Sequence, residues 1–363
     1  MKKRNSLIEL YRFFFALNVV KNHGFFPEGF NYFSPGRVSV EFFFVLSGFL
    51  FVGTLEKLSD LPLNKSLPKM IAGKLKPLFF PLIIGVLSNI IYNIVAKEYF
   101  DGIWGYLWYI EAMMLVFIAY LVLRRVIKSE KVFTYVTLGI FTLATLMRFS
   151  GVFYEWGYVR AFATISLGML LARLPKIEIK QKWLIWVILI PVQIACFLIV
   201  CLHLGNVQWF GGFMGVEFIL DNLLYPALIY LTFNVSVSSK LLNYLGALSF
   251  GLYAFQCPAD LLRLLGLDNR YILLLIIVAL TVAEDLIKRL IKMRKTNSAS
   301  IPSGIPCHSQ DRNQKKRRTR FELKKKEKNC GFALCRICNV CDTPYHFRRR
   351  CFKGGCYLRA EHS

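Results

Sequence analysis

Stretches of about 17 to 25 mostly apolar residues recur along this chain, the length an α-helix needs to cross the hydrocarbon core of a bilayer. In lipid every backbone N–H and C=O must be bonded within its own segment or within a closed barrel. The short alternating segments of a transmembrane barrel are missing, so the chain reads as all-α. Ten spans can be drawn, at roughly 7–27, 38–55, 77–96, 103–123, 132–148, 157–173, 183–204, 213–233, 241–258 and 270–290. The fifth and sixth are short and interrupted by polar residues. The expected organisation is a polytopic membrane domain over residues 1–295 and a basic, Cys-rich cytoplasmic tail over 296–363.

The formal charge of +24 would fit nucleic acid if it lay on one face. Nearly half of it sits in the tail, and the rest falls in alternate connections between the spans. Lys2, Lys3 and Arg4 precede the first span. Lys57, Lys65, Lys69, Lys74 and Lys76 follow the second, Arg124, Arg125, Lys128 and Lys131 the fourth, and Arg173, Lys176, Lys180 and Lys182 the sixth. Lys288, Arg289, Lys292, Arg294 and Lys295 close the last. The other connections hold scattered Arg37, Lys97, Arg263 and Arg270, with Arg148 at a span edge. By the positive-inside rule both termini are cytoplasmic in a multi-pass protein of the cytoplasmic membrane. The lipid bilayer is the expected partner and nucleic acid is not. The first span carries Arg12, Lys21 and His23 and lacks a small-x-small cleavage site, so it is expected to be a retained helix rather than a signal peptide.

An ionisable residue inside a span is costly and therefore a functional candidate. Lys21, His23, Glu41, Arg160, Glu217 and Gln256 fall in the outer half, and Arg12 near the cytoplasmic entrance. Lys74 and Lys76 sit at the cytoplasmic end of the third span, and Glu111 and Asp221 come closer to the middle. On an ideal helix Arg12 and His23 lie within roughly 20° of one face and about 16 Å apart, with the small Ala16 and Val19 between them. A basic anchor inside, a slim groove and an imidazole outside suit a long donor whose phosphates stay in the cytoplasm. Histidine is suited to general-base work near neutral pH. Glu41, at similar depth, is expected to hydrogen-bond His23 and fix its tautomer. An intramembrane His also serves as a plain interhelical hydrogen-bond partner, so the residues alone leave both roles open.

Two motifs in the first spans carry a resemblance. RFFFALNVVKNH runs from Arg12 to His23, and SVEFFFVLSGF from Ser39 through Glu41, Ser47 and Gly48 to Phe49. Both resemble the acyltransferase 3 family of integral membrane proteins, whose first helix places His after Arg and ten further residues and whose second carries an acid before FFxLSG. LWYIE, Leu107 to Glu111, is similar to the family's Trp-containing fourth helix. LGALSFGLYAFQCP, Leu245 to Pro258, is similar to its late LGxxSYxxYxxHxP segment. The resemblance covers roughly residues 4–295 and agrees with ten helices.

The resemblance implies transfer of an acyl group, usually acetyl, from acyl-CoA to a hydroxyl on an extracytoplasmic or membrane-embedded acceptor. His23 becomes the catalytic candidate, with Arg12 as its basic partner and Glu41 as its orienting acid. Arg12, Lys69, Lys74 and Lys76 become candidates for holding acyl-CoA, the donor substrate. Where the family has an Arg-x-x-Arg pair this chain offers lysines, which neutralise phosphate without a bidentate fork. Gln256 stands where the family has a late His; it cannot act as a base but could orient an acceptor hydroxyl. Arg160, Glu217 and Gln256 are the acceptor-site candidates, the acceptor being an envelope glycan or a lipid-linked precursor, and Arg160 or Lys21 could stabilise an oxyanion. Direct attack and a covalent acyl-His intermediate both remain open. Ser47 reads as a helix-packing serine rather than a nucleophile. The competing class is a transporter or exporter of an envelope precursor without acyl-transfer chemistry, since polar residues spread through a bundle also fit a substrate path.

No metal is expected in the core, where Cys196, Cys201 and Cys257 read as packing residues. In the tail, Cys335-x2-Cys338 followed by Cys351-x4-Cys356 resembles zinc-ligand spacing. Long basic runs and few core-forming residues weigh instead toward a disordered tail attracted to anionic lipid.

Overall fold

The computed structural model describes residues 5–26, 36–96, 107–150, 153, 156–178, 181, 183–202 and 212–299. No strand occurs among the described residues. The chain divides into two units, Met1–Lys295 and Thr296–Ser363. The tail cysteines, including Cys335, Cys338, Cys351 and Cys356, lie outside the described residues.

The helices are α1 (Ser6–Val20), continued by a π-helical turn at Lys21–Phe25, then α2 (Gly36–Ser59), α3 (Leu63–Leu75), α4 (Phe79–Ala96), α5 (Trp108–Val126), α6 (Glu130–Phe149) and α7 (Gly157–Leu171). They are followed by α8 (Trp183–Leu202), α9 (Gly212–Ile219), a second π-turn at Leu220–Leu224, α10 (Tyr225–Asn234), α11 (Lys240–Ala254), α12 (Gln256–Leu264) and α13 (Arg270–Ala299). Among the described residues, helix occupies most of each expected span. Among the described residues, five helical stretches are long and apolar enough to cross a membrane by length and composition: Val38–Ser59, Leu63–Ala96, Glu130–Phe149, Trp183–Cys201 and Gly215–Asn234. Two helices were not foreseen. α3 forms within the basic connection, and the ninth span breaks at Phe255 to continue as α12.

α2 is apolar on every side, which suits a helix surrounded by others. Its span is 67% buried, whereas the very apolar Trp183–Cys201 is only 22% buried. Side chains such as Val187, Ile188 and Ile194 on α8, Ile94 on α4 and Leu143 and Leu146 on α6 are exposed. In water such a belt would be unfavourable; against acyl chains it is the expected exterior. α1 lies along α11, α2 and α6 both lie along α7, and α12 packs against α4.

The α2–α7 crossing is close because glycine permits it. A Cβ on Gly48 would run into the Ile165 carbonyl of α7, and a Cβ on Gly168 into the Val45 carbonyl of α2. The LSG motif therefore packs through its glycine. The start of α1 is stitched to the end of α10 and the connection to α11. Asn5 accepts from Leu7 N and donates to the Thr232 and Val235 carbonyls at 2.6 and 2.8 Å, and Ser6 N donates to Val237 at 3.0 Å.

Candidate active site

His23 does not sit on a regular α-helix. α1 ends at Val20, the π-turn carries Lys21 to Phe25, and Gly24 at φ 79° leads into extended Phe26. A π-turn bonds i to i+5, so the angle reckoned for an ideal α-helix between Arg12 and His23 does not carry through to the imidazole. π-turns inside α-helices frequently mark functional positions. Ala16 and Val19 do not line an open groove. Ala16 is packed in a cluster with Phe25, Leu252 and Phe255, and Val19 in one with Val40 and Phe44. Asn18 Nδ2 donates to Ser39 Oγ at 2.8 Å, tying α1 to the beginning of α2.

α12 borders the His23 turn. Arg263 Nη1 donates to the His23 backbone carbonyl at 3.3 Å, pairs through Nη2 with Asp260, and lies over the Phe25 ring at 5.5 Å. Gln256, one turn before Asp260, is buried. Its amide donates to the Leu252 carbonyl at 3.3 Å, and its own carbonyl oxygen accepts no hydrogen bond among the described residues.

A line of hydroxyls runs from α2 into the bundle. Ser47 Oγ and Tyr109 Oη are 3.1 Å apart, and the Tyr109 ring meets Tyr253 edge-on at 6.0 Å. The Arg12 guanidinium is paired with Glu9 at 2.8 Å. Ser47 is thus bonded to α5 while Gly48 does the packing against α7. Segments far apart in the chain, LSG, LWYIE and the late FGLYAFQCP region, meet here.

The acid of the second span has different partners from the one expected. Glu41 is bonded to Arg160 Nε at 2.5 Å and to Arg148 at 3.4 Å, rather than to His23. Arg148 also reaches Glu217 at 2.9 Å and Asp221 at 2.8 Å, and Arg160 reaches Glu217 at 3.8 Å. All five side chains are buried. Opposite charges at one depth from α2, α6, α7 and the α9–π-turn segment offset one another's desolvation. Arg160 and Glu217, expected near the acceptor, are held inside this network. Arg148 is its hub, although in the sequence it shows only as a charge at a span edge.

A family model described as an acyltransferase domain, that of the acyltransferase 3 family, matches residues 7–283. This chain belongs to the acyltransferase 3 family. Neither the curated proteins nor the solved structures compared with it yield a match. Membership makes the chain a membrane acyltransferase, and the matched region takes in His23, the buried charge network and the α12 border of the site.

On the opposite side of this acyltransferase domain, Lys74 is folded over aromatic rings. Its Nζ lies 4.8 Å from the Phe117 centroid and 5.8 Å from that of Phe51, and those two rings stack at 4.0 Å. Lys69 and Lys76 are exposed. Arg125 Nη2 donates to Ser66 on α3 at 2.9 Å, and Arg124 and Arg173 converge on Glu130 and cover the Phe133 ring from 5.3 and 5.1 Å. Glu111, expected closer to the middle of its span, lies in the first turn of α5 and accepts from Tyr158 Oη at 2.8 Å. Cys196 and Cys257 are buried in apolar clusters, as packing residues would be.

Sequence reasoning missed Arg148, Tyr109 and Arg263. Tyr109 could have been found inside the LWYIE motif. Arg263 stood in the count of scattered outer charges and gave no local signal.

Proposed function

We propose that this acyltransferase moves an acyl group, acetyl in the simplest case, from cytoplasmic acyl-CoA to a hydroxyl of a cell-envelope carbohydrate or related acceptor. Ten membrane spans with both termini in the cytoplasm belong to this proposal. It is carried chiefly by the match over residues 7–283, joined to the convergence of Ser47, Tyr109 and Tyr253 from three motif segments.

Acyl-CoA docks from the cytoplasm with its phosphates near Lys69, Lys74 and Lys76, and Arg12 attracts the donor further in. His23 accepts the proton of the acceptor hydroxyl as that oxygen attacks the thioester carbonyl. The C–S bond breaks, and the thiolate of CoA leaves with the proton returned by His23. Gln256, whose buried side-chain carbonyl oxygen accepts no hydrogen bond among the described residues, is suited to accept from an acceptor hydroxyl and orient it. Glu41, Arg160 and Glu217 contribute by fixing α2 and α7 rather than by touching substrate.

The test follows label from radiolabelled acetyl-CoA into envelope glycans in membranes holding the wild type or His23→Ala at equal protein levels. Label that depends on the wild type and vanishes in the variant supports the assignment. Equal labelling removes His23 from the chemistry, and donor-independent export of an unmodified glycan precursor would favour a transporter.

A further inference from the structure

The outer end of α1 is a place where geometry must be imposed. A helix terminus leaves carbonyls without intrahelical donors, and a π-turn followed by a left-handed glycine adds to that irregularity. Gly24 can take φ 79° at little cost because it has no Cβ. The backbone then turns away while the His23 carbonyl points toward α12. Arg263 Nη1 meets that carbonyl at 3.3 Å.

Beyond that carbonyl the guanidinium has two further partners. Asp260, nearly buried, pairs with Nη2, and the Phe25 ring lies beneath at 5.5 Å. Phe255, at the break before α12, and Ala259 of α12 share an apolar cluster with Ala16 and Val20 of α1 and Phe25 of the π-turn. α12 therefore grips the His23 turn through apolar packing and a 3.3 Å hydrogen bond from the Arg263 guanidinium.

We propose that Arg263 is the positioning residue of His23, with Asp260 fixing the guanidinium in turn. By holding the His23 carbonyl, Arg263 sets where the imidazole stands relative to the reacting groups. The consequence for turnover rests on the acyl-transfer assignment above; the clamp on the His23 turn does not.

The experiment compares full-length wild type with Arg263→Ala, Arg263→Lys and Asp260→Asn in membranes. Arg289→Ala serves as a control, since that guanidinium pairs with Asp285 at 2.7 Å on the exposed part of α13. One readout needs no turnover: the rate at which diethyl pyrocarbonate carbethoxylates His23, followed by peptide mass spectrometry. The other is the split between kcat and KM with radiolabelled acetyl-CoA. Arg263→Ala is expected to change the carbethoxylation rate at least about threefold and to lower kcat at least about tenfold, because misplacing a catalytic group by an ångström costs that order or more. KM for the donor should stay within about twofold, since ground-state donor binding is untouched. Arg263→Lys should recover part of kcat, and Arg289→Ala should match the wild type in both readouts. An unchanged carbethoxylation rate, or activity that falls only in proportion to folded protein, overturns the proposal. Should the wild type transfer no label while His23 reactivity still follows Arg263, the clamp stands and the acyl-transfer assignment fails.

Discussion

Arg160 reaches across the α2–α7 crossing to Glu41, Nε to Oε1 at 2.5 Å, with both side chains buried. The bond lies at the same crossing that Gly48 and Gly168 bring close, so the acid of the second-span motif is committed to holding two helices together. Arg148 extends this tie to Glu217 and Asp221.

Removing the hub should unfold the domain more readily than removing the whole pair. Arg148→Met leaves buried carboxylates without their cation and is expected to cost about 3–5 kcal/mol. Adding Asp221→Leu to Arg148→Met should recover part of that loss. Thermal unfolding of purified protein in detergent checks both; a double variant no more stable than the single one would contradict the network.

The glycines of the crossing should be far less tolerant than a glycine in open space. Gly48→Ala and Gly168→Ala each drive a methyl into a backbone carbonyl and should cost about 1–3 kcal/mol by overpacking. Gly53, on the same helix, has nothing within 4 Å of its would-be Cβ. Gly53→Ala should be neutral or stabilise by up to about 1 kcal/mol through helix propensity. The same unfolding measurement ranks the three.

Ser47 and His23 should separate cleanly in transfer assays. Loss of a general base is expected to lower kcat by about 10²–10⁴-fold in His23→Ala. Ser47→Ala removes one hydrogen bond to Tyr109 and should lower it less than about tenfold, since such a bond contributes only about 0.5–1.5 kcal/mol. An acyl-serine recovered at Ser47 by mass spectrometry would reverse this assignment.

Donor binding should depend on the lysines in a graded, salt-sensitive way. Lys74→Ala should raise KM for acyl-CoA several-fold, of order 1 kcal/mol for a partly screened charge, with kcat little changed. Lys69→Ala and Lys76→Ala, at exposed positions, should do less, and raising ionic strength should narrow all three differences. Initial rates at two salt concentrations decide it.

Cysteine accessibility tests the orientation. With the native cysteines replaced, a cysteine at Asp268, between α12 and α13, should react with an impermeant thiol reagent on intact cells. One at Lys128, between α5 and α6, should react only after permeabilisation. The reverse pattern would invert the topology.

What could be read from the chain and what could not divide along the range of the forces involved. The helical class, the positions of the spans and the distribution of basic connections are local. A backbone in lipid must satisfy its own hydrogen bonds, so an apolar run of sufficient length is a helix whatever its neighbours do. The Arg12–His23 and SVEFFFVLSG motifs are local as well and marked the family before any fold was known. The break at Phe255 was harder to see, because its one local signal, Pro258, which cannot donate to the Ala254 carbonyl, is also tolerated inside a helix, as Pro191 is in α8.

Partner choice was decided only in three dimensions. Glu41 takes Arg160, 119 residues away, because the glycine crossing sets α2 against α7 at that depth; proximity in depth to His23 was not enough. Arg148 becomes a hub because four helices deliver opposite charges to one dry place, where leaving any of them alone would be costly. Arg263 meets the His23 carbonyl 240 residues earlier in the chain because α12 folds back on the π-turn. The sequence by itself determined that the chain is a helical membrane acyltransferase of this family; tertiary packing alone decided which buried charge faces which, since that pairing is set by desolvation between helices rather than by order along the chain.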